Sequence, residues 1–365
     1  MANEFWMILR VGCVLLVLAA FCWAAFAMKH PFKKPFLRAA IVVSLLPVVG
    51  CAVILFGKST LIAGLTILML SPFVCGLFFI VLFHFLALKQ PCDVSGHPRG
   101  SFGLFALLLP ALLASVQLLL LFSLLLEGII CLLMAAPFWI GLTVLGSMTG
   151  WVIIWMVKKV TSKMLFSSAL LVLSPFMLQS LEAHHARQIE YGQVTSVVEI
   201  NAPPQTVFDR VVAFPRIPDA LSPSGLWDGW FSLGLPKPVQ ATVACRAVNC
   251  LRKCHFTQNT LFNERITRYE PARELSFDVE AQVGPQNLIT GVDPHVMPGG
   301  IYFETTQGRF QLQPTANGHT ILRGTSWYRL HSSINWYARP WAETFLHLIH
   351  NRVLQHVKVL SETTS

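Results

Sequence analysis

Arg352 and His356 stand one helical turn apart near the C-terminus, in a stretch whose apolar residues recur every three to four positions. Trp341, Phe345, Leu348, Ile349 and Val353 fall on one stripe of that helix, and Arg352 and His356 fall within it. A charged side chain is almost never fully buried without a partner. Two readings are open. Either these groups meet the polar end of a bound molecule in a cavity, or they are paired internally with Glu304, Asp278 or a backbone carbonyl. His347 and His350 have the spacing of two metal ligands on a helix. They lie off the stripe and no third ligand can be placed, so surface positions and no metal site are expected.

Other reactive residue types lie in loops. Asp293, His295 and Met297 belong to the long stretch Gly284–Gly300, a length typical of functional or disordered loops. Trp227, Trp230 and Phe231 crowd another loop. Tryptophan favours membrane interfaces, so contact with a bilayer is expected there, with a lid on the domain itself as the alternative. Cys245, Cys250 and Cys254 lack zinc-site spacing. If two strands turn tightly at Asn249-Cys250, Cys245 faces Cys254 and a disulfide between them becomes conceivable. It would suit an oxidising compartment; buried free thiols are the other option. His184-His185 point in different directions on a helix, which fits a solvated linker. Gly57-Lys58-Ser59-Thr60 resembles the end of a phosphate loop, but Ala52 stands where its first glycine belongs. The sequence holds no paired carboxylates, no nucleophile–base arrangement and no cofactor fingerprint, so no cofactor is expected.

These residues must be positioned by the elements around them. Val194–Ile200 alternates as a strand, and Pro203-Pro204 starts a helix that runs through Val212. Val239–Val248, Leu251–Thr257, Leu261–Tyr269, Leu275–Val283, Ile301–Gln313 and His319–Leu330 read as further strands. A long helix over 334–361 closes the chain.

The first half of the chain has a different character. The chain is 54% hydrophobic and only 12% charged, against about a quarter charged in ordinary soluble proteins. Six apolar runs can be drawn, over 5–28, 39–57, 61–88, 101–126, 129–157 and 164–181. Residues 1–180 hold 11 Lys and Arg against 3 Asp and Glu, while residues 181–365 hold 16 against 15. The net charge of +9 therefore belongs almost wholly to the apolar half, which argues against nucleic acid as a partner. Lys29, Lys33, Lys34, Arg38, Lys89, Arg99, Lys158, Lys159 and Lys163 come after odd-numbered runs, and only Lys58 comes after an even one. That bias places the odd junctions in the cytoplasm. If run 164–181 spans, the domain C-terminal to it is extracytoplasmic; if the run lies along the interface, that domain is cytoplasmic. Arg10 and His84 are close enough to run ends to snorkel.

Ile200-Asn201-Ala202-Pro203-Pro204 with Val207-Phe208, then Arg268 to Phe277, then Gly308-Arg309-Phe310 leading into Thr325-Ser326-Trp327-Tyr328, carry a family resemblance. The stretch 194–365 resembles the START-like, helix-grip superfamily (SRPBCC), which includes polyketide cyclase/dehydrase and lipid-transfer domains. With His347 and His350 it is similar to a membrane-attached bacterial subgroup. The resemblance implies an α+β domain in which a curved antiparallel sheet grips the last helix around an apolar cavity. Phe277 and Phe310 on the sheet, with Trp341, Phe345 and Ile349 on the helix, are its expected lining, and the 284–300 loop is expected at its mouth. The expected organisation is a bundle of about six transmembrane α-helices over 1–181, a linker over 182–193 and the START-like domain over 194–365. The leading expectation is an inner-membrane protein, with the bilayer as partner, that binds or transfers an apolar molecule such as a lipid. A cyclase/aromatase-like enzyme and a non-catalytic assembly partner of another membrane protein are the alternatives. For the enzyme, Asp293, His295, Arg352 and His356 are the candidate acid–base groups.

Overall fold

The computed structural model describes residues 11–13, 15, 16, 19, 33–56, 66–88, 102–124, 128–157, 160–185, 189–219, 229–258, 260–282, 299, 300 and 302–363. The chain divides into two compact units at Arg187/Gln188.

The first unit is helical. Its elements are α1 (Lys33–Phe56), a π-helical turn (Thr66–Leu70) running into α2 (Ser71–Leu88), α3 (Phe102–Ser123), α4 (Ile129–Val157) and α5 (Ser162–His185). Each coincides with one of the apolar runs. Pro47, Pro110, Pro137 and Pro175 lie inside α1, α3, α4 and α5 without ending them. Helices α2 and α4 meet backbone to backbone. A Cβ on Gly76 would overlap the Thr143 carbonyl, and one on Gly146 the Phe73 carbonyl. Glycines are what permit that approach. Some buried polar groups bridge helices: Trp139 Nε1 donates to Gln117 Oε1 (2.9 Å), Gln117 Nε2 to the Val43 carbonyl (3.0 Å), and Ser147 Oγ to the Gly76 carbonyl (2.9 Å). The outward faces are apolar too. Leu145, Met148, Val152 and Trp155 form an exposed stripe on α4, and Phe166, Leu170, Leu173, Met177 and Leu181 form one on α5. The helices Thr66–Ala87 and Ile129–Val157 are long and apolar enough to cross a membrane.

The polar stretch 182–193 does not form the expected linker. Helix α5 runs on to His185, and Glu182 accepts a hydrogen bond from the Thr66 amide (3.0 Å). A carboxylate is well placed at that helix N-terminus. The next strand already begins at Ile189.

The second unit is α+β. Strands β1 (Ile189–Ile200), β2 (Pro238–Val243), β3 (Leu251–Phe256), β4 (Leu261–Glu270), β5 (Glu274–Gln282), β6 (Phe303–Pro314) and β7 (Thr320–His331) form one antiparallel sheet, ordered β1-β7-β6-β5-β4-β3-β2. Helix α6 (Pro204–Val212) comes after β1, and α7 (Asn335–Glu362) ends the chain. Pro204 opens α6, where a missing N–H costs nothing, and Val207, Phe208, Val211 and Val212 face the core. Helix α7 packs on β1 and β7 at one edge of the sheet and on β2 at the other, so the sheet wraps around it. Ile200, Phe208, Ile266, Leu275, Leu322 and Val357 lie in the core between them.

One departure from sequence expectation has a local cause. Residues 244–248 leave the strand: the register Val243↔Arg252 puts 244–250 in the connection. There Asn249 takes a left-handed φ of 64°. The open edge of β2 is covered by chain from the end of α6. Phe214 and Ala241 exchange amide–carbonyl bonds (3.0 and 3.1 Å), and Ile217 N–H donates to the Val239 carbonyl (2.7 Å). That segment, Phe214-Pro215-Arg216-Ile217-Pro218, cannot form a full ladder because its prolines have no N–H.

Candidate functional site

A cavity of about 90 Å³ lies between the inner face of the sheet and α7. Rings from Phe214, Phe256, Phe262, Phe277 and Phe310 wall it, with Ile349 and Val353 from the helix. Gly308 makes one wall possible, since a Cβ there would overlap the Phe277 ring.

Polar groups occupy two places on this apolar wall. On one side Arg252 of β3 is ion-paired with Glu264 of β4, and both are buried. Arg252 Nε also donates to the Val212 carbonyl (3.0 Å) and Nη2 to the Val211 carbonyl (3.2 Å), closing the C-terminus of α6. Burial pushes the Glu264 carboxyl up against the pull of Arg252. Burial also works against the charge on Arg252, and Glu264 with Cys254 more than restores it. Cys254 lies beside the pair, and burial pushes its thiol up to about 12, so it is no nucleophile. On the other side, Ser326 Oγ of β7 lies 2.8 Å from His350 Nε2 of α7. His350 Nδ1 lies 3.2 Å from Ser196 Oγ of β1, which lies 2.7 Å from Nδ1 of the exposed His347. Burial, with His347 adding to it, pushes the His350 imidazole down to about 4.

The residues singled out in the sequence separate into groups. Phe277, Phe310 and Ile349 line the cavity. Trp341 and Phe345 instead form an aromatic cluster with Trp230, whose ring centroid is 5.8 and 5.4 Å from theirs. Trp230 and Phe231 are half-buried, on a helical turn over Gly229–Ser232. Arg352 and His356 are buried and hold backbone carbonyls. Arg352 Nη2 donates to Pro218 O (3.1 Å) and Nε to Pro238 O (3.3 Å), while His356 Nε2 donates to Pro215 O (3.2 Å). They fasten the proline-rich segment beside β2, as the internal reading anticipated. His350 corrects the sequence reading of a surface residue: it lines the cavity, because the wrapping sheet covers a wider arc of α7 than the apolar stripe marks. Cys245 is bonded to Cys250, not to Cys254, which is a buried free thiol. The hairpin is centred nearer 247–248 than 249–250, so Cys245 comes opposite Cys250. Trp227, Asp293, His295 and Met297 lie outside the described residues. Among the described residues no group of three His, Cys, Asp or Glu side chains converges to hold a metal ion.

Sequence reasoning passed over Arg252, Glu264, Ser196 and Ser326. A signal for the first two was present. Arg252 alternates in phase with Cys254 and Phe256, and Glu264 with Phe262 and Ile266, which puts both charges on the inward face.

No family model and no curated protein matches the chain. Solved structures similar to its C-terminal unit include a START superfamily protein from Mycobacterium smegmatis (9% identical, covering 47% of this chain and 99% of that one, TM-score 0.30). Others are truncated norcoclaurine synthase from Thalictrum flavum (9%, 48% and 96%, TM-score 0.29) and the Aha1 dimer from Colwellia psychrerythraea (16%, 47% and 96%, TM-score 0.25). At these identities the likeness concerns fold alone. One antiparallel sheet, with β1 and β2 at opposite edges and a C-terminal helix held across it, is the START-like helix-grip fold, and the described residues between 189 and 362 adopt it.

Proposed function

We propose that this chain is a multi-pass membrane protein whose START-like unit binds a small, largely apolar molecule, lipid-like in character. The observation that carries the binding reading is the aromatic-walled cavity between sheet and helix. Binding sites of this kind are mostly apolar with a few placed polar groups. Membrane insertion is supported by helices that are apolar on both buried and exposed faces, and by glycine-mediated contact between α2 and α4.

The side of the membrane depends on α5. Its apolar stretch 164–181 sits at the short end of the roughly 17–25 residues needed to span, and the helix continues unbroken through Pro175. With the positive-inside bias, a spanning α5 puts the START-like unit outside the cytoplasm. The Cys245–Cys250 bond fits such an oxidising compartment.

Extraction of the purified full chain with organic solvent, then mass spectrometry, tests the binding reading. A stoichiometric apolar compound is expected. A chain that purifies empty and takes up no added apolar compound sinks the proposal. Alkaline phosphatase fused after Ser365 should be active, and green fluorescent protein dark; the reverse pattern places the unit in the cytoplasm.

A further inference from the structure

Arg252, Arg352 and His356 around the cavity already have their counterparts inside the protein. Arg252 is matched by Glu264 and directs two further donors to the α6 carbonyls. Arg309 borders the cavity as well, but it alternates with Gly308 along β6, and its guanidinium lies over the Trp327 ring at 5.0 Å. Arg352 and His356 are spent on the carbonyls of 215, 218 and 238. A ligand carboxylate or phosphate in this cavity would therefore sit among phenylalanine rings, with the inward-facing Arg252 already matched by Glu264, a costly arrangement.

The Ser326–His350–Ser196–His347 chain offers something else. Serine hydroxyls and neutral imidazoles each donate and accept. With Ser326 donating to His350 Nε2, the proton on Nδ1 goes to Ser196, and Ser196 donates to His347; the Ser326 oxygen is then open to accept. In the reversed arrangement His350 Nε2–H donates to Ser326, and the Ser326 hydroxyl is free to donate into the cavity. Both arrangements satisfy every atom of the chain at the observed separations of 2.8, 3.2 and 2.7 Å. His347 lies at the exposed end, where either tautomer is solvated.

We propose that the cavity selects an uncharged molecule with one polar oxygen, an alcohol or a carbonyl compound, seated on Ser326 with its apolar body against the phenylalanine rings. This rests on the ligand-binding reading above and names its chemical class. The reversible chain lets one serine serve a hydroxyl hydrogen or a carbonyl oxygen. A cavity of about 90 Å³ is smaller than the roughly 150 Å³ that takes up benzene, so it encloses only part of such a molecule.

The test uses the full chain in phosphatidylcholine nanodiscs, titrated calorimetrically at neutral pH with toluene, benzyl alcohol and benzoate, with empty discs as the blank. Benzyl alcohol should bind, and benzoate should bind at least about tenfold more weakly. In Ser326→Ala, benzyl alcohol should weaken roughly five-fold while toluene is unchanged, as loss of one hydrogen bond predicts. Toluene binding also reports that the variant is folded. Benzoate binding as tight as benzyl alcohol overturns the inference and leaves ligand binding standing. An alanine variant that binds benzyl alcohol unchanged, or loses toluene equally, also overturns it. If none of the three compounds binds, the ligand-binding reading falls and takes this one with it.

Discussion

At the scale of single residues, the buried polar groups of the second unit do two kinds of work. Arg352 and His356 satisfy carbonyls that a proline-rich segment cannot satisfy itself, and Arg252 joins two strands to a helix end. Removing one member of a buried ion pair strands the other, whereas an apolar replacement of both can be neutral. Arg252→Met should therefore destabilise the unit by about 3–5 kcal/mol, and the double variant Arg252→Met/Glu264→Leu by clearly less. Denaturant unfolding monitored by tryptophan fluorescence measures both. His350 makes a pH prediction. Its folded value of about 4 lies below the ordinary 6.5, so the unfolded chain takes up a proton that the folded chain refuses. Stability is complete above pH 6.5 and is lost as pH falls toward 4, by a few kcal/mol at most. His350→Gln should flatten that part of the stability–pH curve, and an unchanged slope would contradict the assignment.

At the scale of elements, small residues decide how closely segments approach. Gly76 and Gly146 let α2 and α4 touch through their backbones, so Gly76→Val or Gly146→Val must drive the helices apart. Both should lower the melting temperature or abolish folded yield. Gly141→Ala on the same α4 meets nothing within 4 Å and should be neutral or slightly stabilising, a contrast that size-exclusion and thermal scans can read. The β2–β3 connection makes a covalent prediction. Trypsin cleaves after Arg246, between the bonded Cys245 and Cys250. Unreduced digests should show the two flanking peptides joined, and reduction should separate them. A cross-link to the Cys254 peptide would contradict the pairing.

At the scale of the whole molecule, the two units differ in what they present to their surroundings. The helical unit carries the charge surplus and shows leucine, methionine and aromatic stripes outward, which is costly in water and neutral in lipid. The START-like unit has a conventional apolar core with its ionic groups at the rim or paired within. The full chain should accordingly stay with the membrane pellet after alkaline carbonate washing and be released only by detergent. Appearance in the wash would remove the basis for membrane insertion.

The amino-acid pattern alone was enough for the order of strands and long helices in the second unit and for the helices over 33–185 in the first, while run 5–28 lies mostly outside the described residues. Those features depend on local periodicity, on prolines at helix starts and on runs of apolar residues, all of which are contiguous in sequence. Phe277, Phe310 and Ile349 were expected as lining from the family resemblance, and each sits in phase on its own element; Trp341 and Phe345, expected on the same ground, pack against Trp230 instead. The polar side of the cavity was not legible. Ser196, Ser326 and His350 come from β1, β7 and α7, and nothing local marks three ordinary residues that meet only when the sheet closes on the helix. The disulfide partner of Cys245 depended on where the hairpin turned, which a left-handed Asn249 and the strand register decided. Arg352 and His356 stood out by chemistry on an apolar stripe, but their partners are carbonyls more than a hundred residues away. Periodicity shows which face is buried; only the packed structure shows what each buried group meets.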